Sequence, residues 1–260
     1  MTSPSPLRNP VKDRMKAGGT TFGTIVSMPS PHVAQVFSAS GFDWLWFDLE
    51  HGPIPFDSLH GMINATATGH GRTVPITRVP ADEVWTVKPV LDSGSLGVVF
   101  PFIETAEQAV AAIAATRYPP IGKRGFGPFY AASRWNLNLR DYAEQADDAI
   151  LRVVMLESKA AVDNAKAILA TDGIDVAFLA PFDLSQSLGV PGQFDAPEYL
   201  DALATLEAAV DESDAVMGTL VLDGETARAK MERGYKFLCM SLDIAILENG
   251  AKSLLDAVRD

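Results

Sequence analysis

Short runs of β-branched and aromatic residues alternate with longer Ala- and Leu-rich amphipathic stretches from about residue 20 to the end of the chain. That alternation marks repeated strand–helix units, in which each helix carries the chain back so that successive strands run parallel. Eight runs have strand character: residues 21–28, 42–48, 74–79, 96–102, 151–156, 176–179, 216–221 and 237–241. Helical spacing marks 31–39, 57–68, 84–93, 106–116, 159–171, 197–213 and 225–234, with a last helix at 243–258. The same units also build an open, doubly wound sheet. A count of eight favours a closed barrel, and 260 residues match the roughly 250 of a single (β/α)8 domain. The sequence therefore predicts an α/β fold: one (β/α)8 barrel over residues 20–260 after an N-terminal extension over residues 1–19.

Composition narrows the function classes. A formal net charge of −12 and a pI near 4.7 repel phosphate backbones and anionic lipid, so neither nucleic acid nor membrane is expected as a partner. Cys239 is the single cysteine, which excludes an internal disulfide and a cysteine zinc cluster and fits a reducing cytoplasm. The N-terminal stretch MTSPSPLRNPVKDRMKAGG has no apolar core of signal-peptide length, and no segment reaches the apolar length of a membrane span, so a cytoplasmic location is expected. Residues 118–139 form the longest non-periodic segment, and a loop of that length in a compact domain is usually functional or an interface element.

In a parallel barrel the reacting groups gather at the carboxyl ends of the strands. The second run ends in Asp48-Leu49-Glu50-His51, the third in Arg78, the fifth in Glu157 and the sixth in Ala180-Pro181-Phe182-Asp183. Several charges on one apolar rim need one another or an ion, because an unpaired buried charge is expensive. Glu157 and Asp183 follow neighbouring strands, where two carboxylates suit a hard divalent cation such as Mg²⁺, Mn²⁺ or Co²⁺. A carboxylate after a strand is also a common helix N-cap, a reading that each of Asp48, Glu157 and Asp183 admits singly. Taken together they point to a cation. Arg78 alone fits a structural ion pair as well as a substrate ligand. His51 is the one histidine that follows a strand, and its spacing from Asp48 suggests a carboxylate–imidazole acid–base pair; His32, His60 and His70 fall in or beside helical stretches and are read as surface or packing residues.

Three further features have bland readings. The segment Gly122-Lys123-Arg124-Gly125-Phe126-Gly127 lacks the spacing of a phosphate loop and is read as a flexible basic loop that closes over a site or packs on a neighbouring subunit. Trp44 and Trp46, alternating on an apolar run, are expected in the core. Cys239 is expected to be a small buried residue rather than a nucleophile.

The segments from Phe42 to His51, from Arg117 to Gly125, Ser133-Arg134-Trp135-Asn136 and Pro181-Phe182-Asp183-Leu184-Ser185 resemble, in order and spacing, the class II HpcH/HpaI aldolase family. The resemblance implies a phosphoenolpyruvate/pyruvate-type barrel and reversible aldol chemistry between a 2-oxo acid, pyruvate or hydroxypyruvate, and an aldehyde. It implies a divalent metal on Glu157 and Asp183, Arg78 beside the developing enolate oxygen, and His51 with Asp48 moving a proton. It places Ala180 and Phe182 in the loop that contacts the substrate. It also implies a homo-hexamer, a trimer of dimers, with the C-terminal helix exchanged between subunits. Met155 stands where close relatives carry glutamine, and Ala180 and Phe182 occupy positions often held by smaller residues, which leaves the identity of the donor open. Two alternatives remain at this point: a thioester-type carbon–carbon lyase of the citramalyl or citryl kind, which needs a basic groove offered only around Lys123–Arg124, and a non-catalytic barrel that binds oxo acids.

Overall fold

The computed structural model describes residues 6–67, 73–80 and 84–259. Eight parallel strands close in sequence order into one barrel: β1 (Thr21–Val26), β2 (Trp44–Asp48), β3 (Val74–Arg78), β4 (Gly97–Phe100), β5 (Leu151–Met155), β6 (Val176–Leu179), β7 (Val216–Val221) and β8 (Phe237–Leu242). Around them run α1 (Pro10–Lys16), α2 (Pro31–Ala39), α3 (Phe56–Ala65), α4 (Val84–Asp92), α5 (Ala106–Thr116), α6 (Phe129–Arg134), α7 (Leu139–Ala149), α8 (Lys159–Asp163), α9 (Ala165–Leu169), α10 (Pro181–Ser187), α11 (Pro197–Asp211), α12 (Gly224–Glu232) and α13 (Asp243–Asp256). His70, and the predicted end of the third helix at Thr68, lie outside the described residues.

Several boundaries differ from the sequence pattern, each for a visible reason. β1 stops at Val26 because the amides of Ser27 and Met28 donate to the Asp243 carboxylate instead of to a neighbouring strand. β4 stops before Pro101, and Phe102 turns to a positive φ of 49°. The stretch 159–171 is two helices, α8 and α9, because Asn164 leaves the helical basin and its side-chain amide donates to Glu104 O at 2.8 Å. Within the long non-periodic segment sits α6, too short at six residues to show a helical period.

Two hydrophobic layers result. Residues facing the helices form the larger one, and the barrel interior holds Trp44, Trp46, Ile76, Val99, Val153, Phe178 and Phe237. The N-terminal segment belongs to this interior: Val11 and Met15 of α1 pack into it, while Asn9 Nδ2 donates to the carbonyls of Leu96 and Ala149. Room for the indoles comes from glycine. A Cβ built on Gly23 lies 2.0 Å from Trp44 ring atoms, and Trp44 itself stacks on Phe237 with centroids 4.0 Å apart.

Gly23→Ala is therefore expected to destabilise the fold by about 1–3 kcal/mol or more, since the Trp44 ring has no space into which to retreat. The melting temperature should fall by roughly 5 °C. Gly250→Ala, whose Cβ meets nothing within 4 Å on α13, serves as the comparison and should hold or gain stability. Equal melting of the Gly23→Ala and wild-type proteins would contradict this packing.

Candidate functional site

Strand alternation aims the polar residues at the barrel axis. On β2, Trp44 and Trp46 point inward, and Asp48 follows at the same two-residue step; on β3, Arg78 follows Val74 and Ile76 in the same way. The register pairs Asp48 with Arg78 directly. Arg78 Nε donates to Asp48 Oδ1 at 2.8 Å and Nη2 donates to Oδ2 at 2.6 Å, a bidentate pair that fixes the guanidinium. Its Nη1 lies 2.9 Å from Glu50 Oε2 at an angle that makes an ion pair rather than a hydrogen bond. Below it, the Trp46 ring centroid is 5.6 Å from the guanidinium carbon.

The remaining acidic groups find less. Glu157 is 2% exposed, and its Oε1 accepts the amide of Phe102 at 2.7 Å. Burial pushes its carboxyl up to about 7, opposed by the Phe102 amide and by Arg78 and reinforced by the charges of Asp183 and Glu50. Burial also raises Glu50, against the pull of Arg78. Glu157 is not a helix cap, since Ser158 fills that role for α8. Asp183 stands in the first turn of α10 with no capping bond, and among the described residues no donor reaches its carboxylate. Four carboxylates thus meet one guanidinium, which is already shared by Asp48 and Glu50.

A cleft of about 320 Å³ opens over these groups, lined by Asp48, His51, Arg78, Ala180, Phe182 and Asp183 above a floor of Trp46, Met155 and Phe178. Six of the seven predicted site residues therefore line one mouth; Glu157 is not in the cleft wall but is buried next to it, close enough to feel the charges of Asp183, Glu50 and Arg78. The expected Asp48–His51 pairing does not form. Three residues past a strand-end aspartate it is the backbone that comes within reach, so the amides of Glu50 and His51 donate to Asp48 Oδ1 while the imidazole stays 68% exposed, its Nε2 3.9 Å from Glu50 Oε2. Sequence reasoning passed over Glu50, although it lies in the same strand-end run. It also missed Phe102, whose amide is delivered by a left-handed backbone that costs a non-glycine residue about 1–3 kcal/mol and leaves no mark in the sequence.

The bland readings resolve as well. Trp44 and Trp46 are fully buried, and burial pushes the Cys239 thiol far up, away from nucleophile behaviour. Arg124 contributes no charge to a basic loop: its side chain is buried against the rings of Tyr118 and Tyr142 and pairs with Asp92 at 2.7 Å. A basic groove around Lys123–Arg124 is therefore not built.

The family model described as HpcH/HpaI aldolase/citrate lyase matches residues 22–249. The chain belongs to this family. A hydroxypyruvate/pyruvate aldolase of Roseobacter denitrificans is 36% identical over 96% of this HpcH/HpaI chain and 97% of the relative. A 4-hydroxy-2-oxo-heptane-1,7-dioate aldolase of Salmonella dublin is 33% identical over 95% and 94%. The crystal structure of a family protein from Burkholderia cenocepacia superposes with a TM-score of 0.90 at 33% identity, covering 97% of this chain and all of the other. With relatives of this kind along nearly its whole length, this HpcH/HpaI protein is a carbon–carbon lyase.

The strained state of Glu157 has a measurable sign. A carboxyl whose folded pKa is raised from 4.5 to about 7 takes stability away as pH climbs through that window, by about 3 kcal/mol once fully ionised. Glu157→Gln keeps an acceptor for the Phe102 amide and removes the charge. In metal-free buffer it should melt with wild type at pH 4 and several degrees above it at pH 8. Parallel melting profiles across that range would contradict the buried, uncompensated carboxylate.

Proposed function

We propose that the protein catalyses reversible aldol addition and cleavage between a 2-oxo acid, pyruvate or hydroxypyruvate, and an aldehyde, with Glu157 and Asp183 holding one divalent cation, Mg²⁺, Mn²⁺ or Co²⁺. The observation that carries this reading is the charge count at the cleft, where Asp48 and Glu50 take up Arg78 and leave the Glu157 and Asp183 carboxylates over. With all four ionised, one guanidinium leaves three negative charges, more than enough to attract one dication. Among the described residues no three His, Cys, Asp or Glu side chains form a ready metal cluster, so such an ion would complete its oxygen shell from small molecules, as an exchangeable catalytic cation does. When bound, the cation supplies Lewis acidity to the 2-oxo acid.

The protein groups do the rest. Arg78, locked by its bidentate partner, presents a fixed positive charge where the donor oxygen becomes negative as its neighbouring carbon loses a proton. His51, exposed at the mouth, takes that proton directly or through water, and returns one to the aldehyde oxygen once the new carbon–carbon bond has formed. Asp48 positions Arg78 rather than the imidazole. Ala180 and Phe182 border the bound substrate, and the Trp46, Met155 and Phe178 floor keeps bulk water from the reacting carbon. The relatives named for pyruvate-type aldolases support this donor class. The missing basic groove argues against the thioester alternative.

Assembly as a homo-hexamer, with α13 exchanged between subunits, fits the outward apolar face of that helix: Leu247, Leu254 and Leu255 are all exposed. A cytoplasmic setting suits the reduced, buried Cys239, and no helix among the described residues is long and apolar enough to cross a membrane.

Proton NMR of pyruvate in deuterated water tests the reading. Methyl-proton exchange should require the divalent cation, stop on chelation, and fall by roughly 10²–10³ in Arg78→Ala. Exchange that ignores the chelator would sink the role of the cation, and exchange at the wild-type rate in Arg78→Ala would remove Arg78 from the chemistry.

A further inference from the structure

Beside the cleft lies a second cavity of about 310 Å³, set between the end of β7 and helices α11 and α12. Its walls are mainly apolar, among them Phe194, Leu200, Leu203 and Leu222. Pro181, Phe182 and Leu220 line both spaces. Each is at the lower end of the range for small-ligand pockets, so a partition between them limits what the cleft accepts.

Phe182 is the largest of the three shared side chains, and its ring is half-exposed between the two spaces. Pro181 opens α10 at a position where proline fixes the backbone, and so sets where the next side chain leaves it. The Phe182 ring meets Phe194 edge-on, with centroids 5.2 Å apart, and Phe194 leans on Tyr199 at 5.4 Å. Asp183 follows directly, which puts the ring at the reacting end of the cleft. The cavity's polar groups are already engaged. Thr219 Oγ1 donates to Leu179 O, Asp223 accepts from the Thr226 amide, Arg233 pairs with Glu207, and Lys230 lies 4.8 Å over the Tyr235 ring. The rest of the lining is mainly apolar.

Resting on the aldolase reading above, we propose that Phe182 sets the length of the aldehyde acceptor: its ring closes the cleft to long unbranched tails, and the cavity behind it receives such a tail once the ring is cut back. With pyruvate as donor, kcat/KM is measured for ethanal, butanal and hexanal in wild type, Phe182→Ala, Phe182→Leu, and Phe182→Ala combined with Leu200→Trp, which refills the cavity from its outer wall. Each methylene that enters the cavity is worth roughly fourfold. Phe182→Ala should therefore raise the hexanal-to-ethanal ratio at least tenfold, chiefly through KM, with Phe182→Leu intermediate and Leu200→Trp returning the ratio to the wild-type value. The ratio compares two aldehydes in one protein, so partial loss of folded enzyme cancels. A ratio unmoved in both Phe182 variants, or a gain that survives Leu200→Trp, overturns the proposal. Methyl-proton exchange in wild type needs no acceptor and separates the two failures: exchange with an unmoved ratio overturns the length gate alone, whereas absent exchange overturns the aldolase reading and the gate with it.

Discussion

Arg78 cannot neutralise every carboxylate that the barrel turns inward. Asp48 holds it on two nitrogens and Glu50 approaches the third, so its charge is spent before Glu157 and Asp183 are counted. In water such crowding would be screened. At a mouth floored by Trp46, Met155 and Phe178 it is not, and Glu157, held up first by its burial and then by the charges of Asp183 and Glu50, keeps its proton to about 7. That residual negative charge is the feature on which the proposed chemistry depends, because it gives a dication a reason to settle where a 2-oxo acid can reach it.

The scaffold produces this arrangement by simple means. A two-residue alternation that buries Trp44 and Trp46 delivers Asp48 to the same interior one step later, and the parallel register sets Arg78 beside it. The bulky interior is in turn allowed by small residues: Gly23 faces the Trp44 ring, and a Cβ on Gly97 would lie 2.5 Å from Ile76. At the closing seam, the buried Asp243 at the start of α13 accepts the amides of Ser27 and Met28 and the Ser27 hydroxyl, tying the last helix to a wall of the cleft. Stability and site geometry share the same side chains.

The eight strand–helix units, the closed barrel and the clustering of Asp48, Arg78 and Asp183 were legible in the sequence, because each rests on local periodicity and on what terminates a strand. Other features depend on contacts distant in sequence. Glu50 looked like one charge among several until its approach to Arg78 was visible. The Phe102 amide reaches Glu157 across 55 positions through a backbone turn that no residue type announces. The pairing of Asp48 with His51 failed for a local reason: the aspartate carboxylate meets nearby backbone amides before it meets a side chain on the same turn. Arg124 misled in the same way, since a basic residue in a glycine-rich segment reads as exposed until Tyr118, Tyr142 and Asp92 are seen around it.

The most direct measurement of the central claim is calorimetric titration of Mn²⁺ into metal-free protein near pH 6.5, run in two buffers of different ionisation enthalpy. The unpaired-carboxylate account predicts one ion per chain, proton release on binding because Glu157 must ionise, and affinity lower by roughly a hundredfold or more in Glu157→Gln. Wild-type affinity in that variant, or binding without proton release, would contradict it.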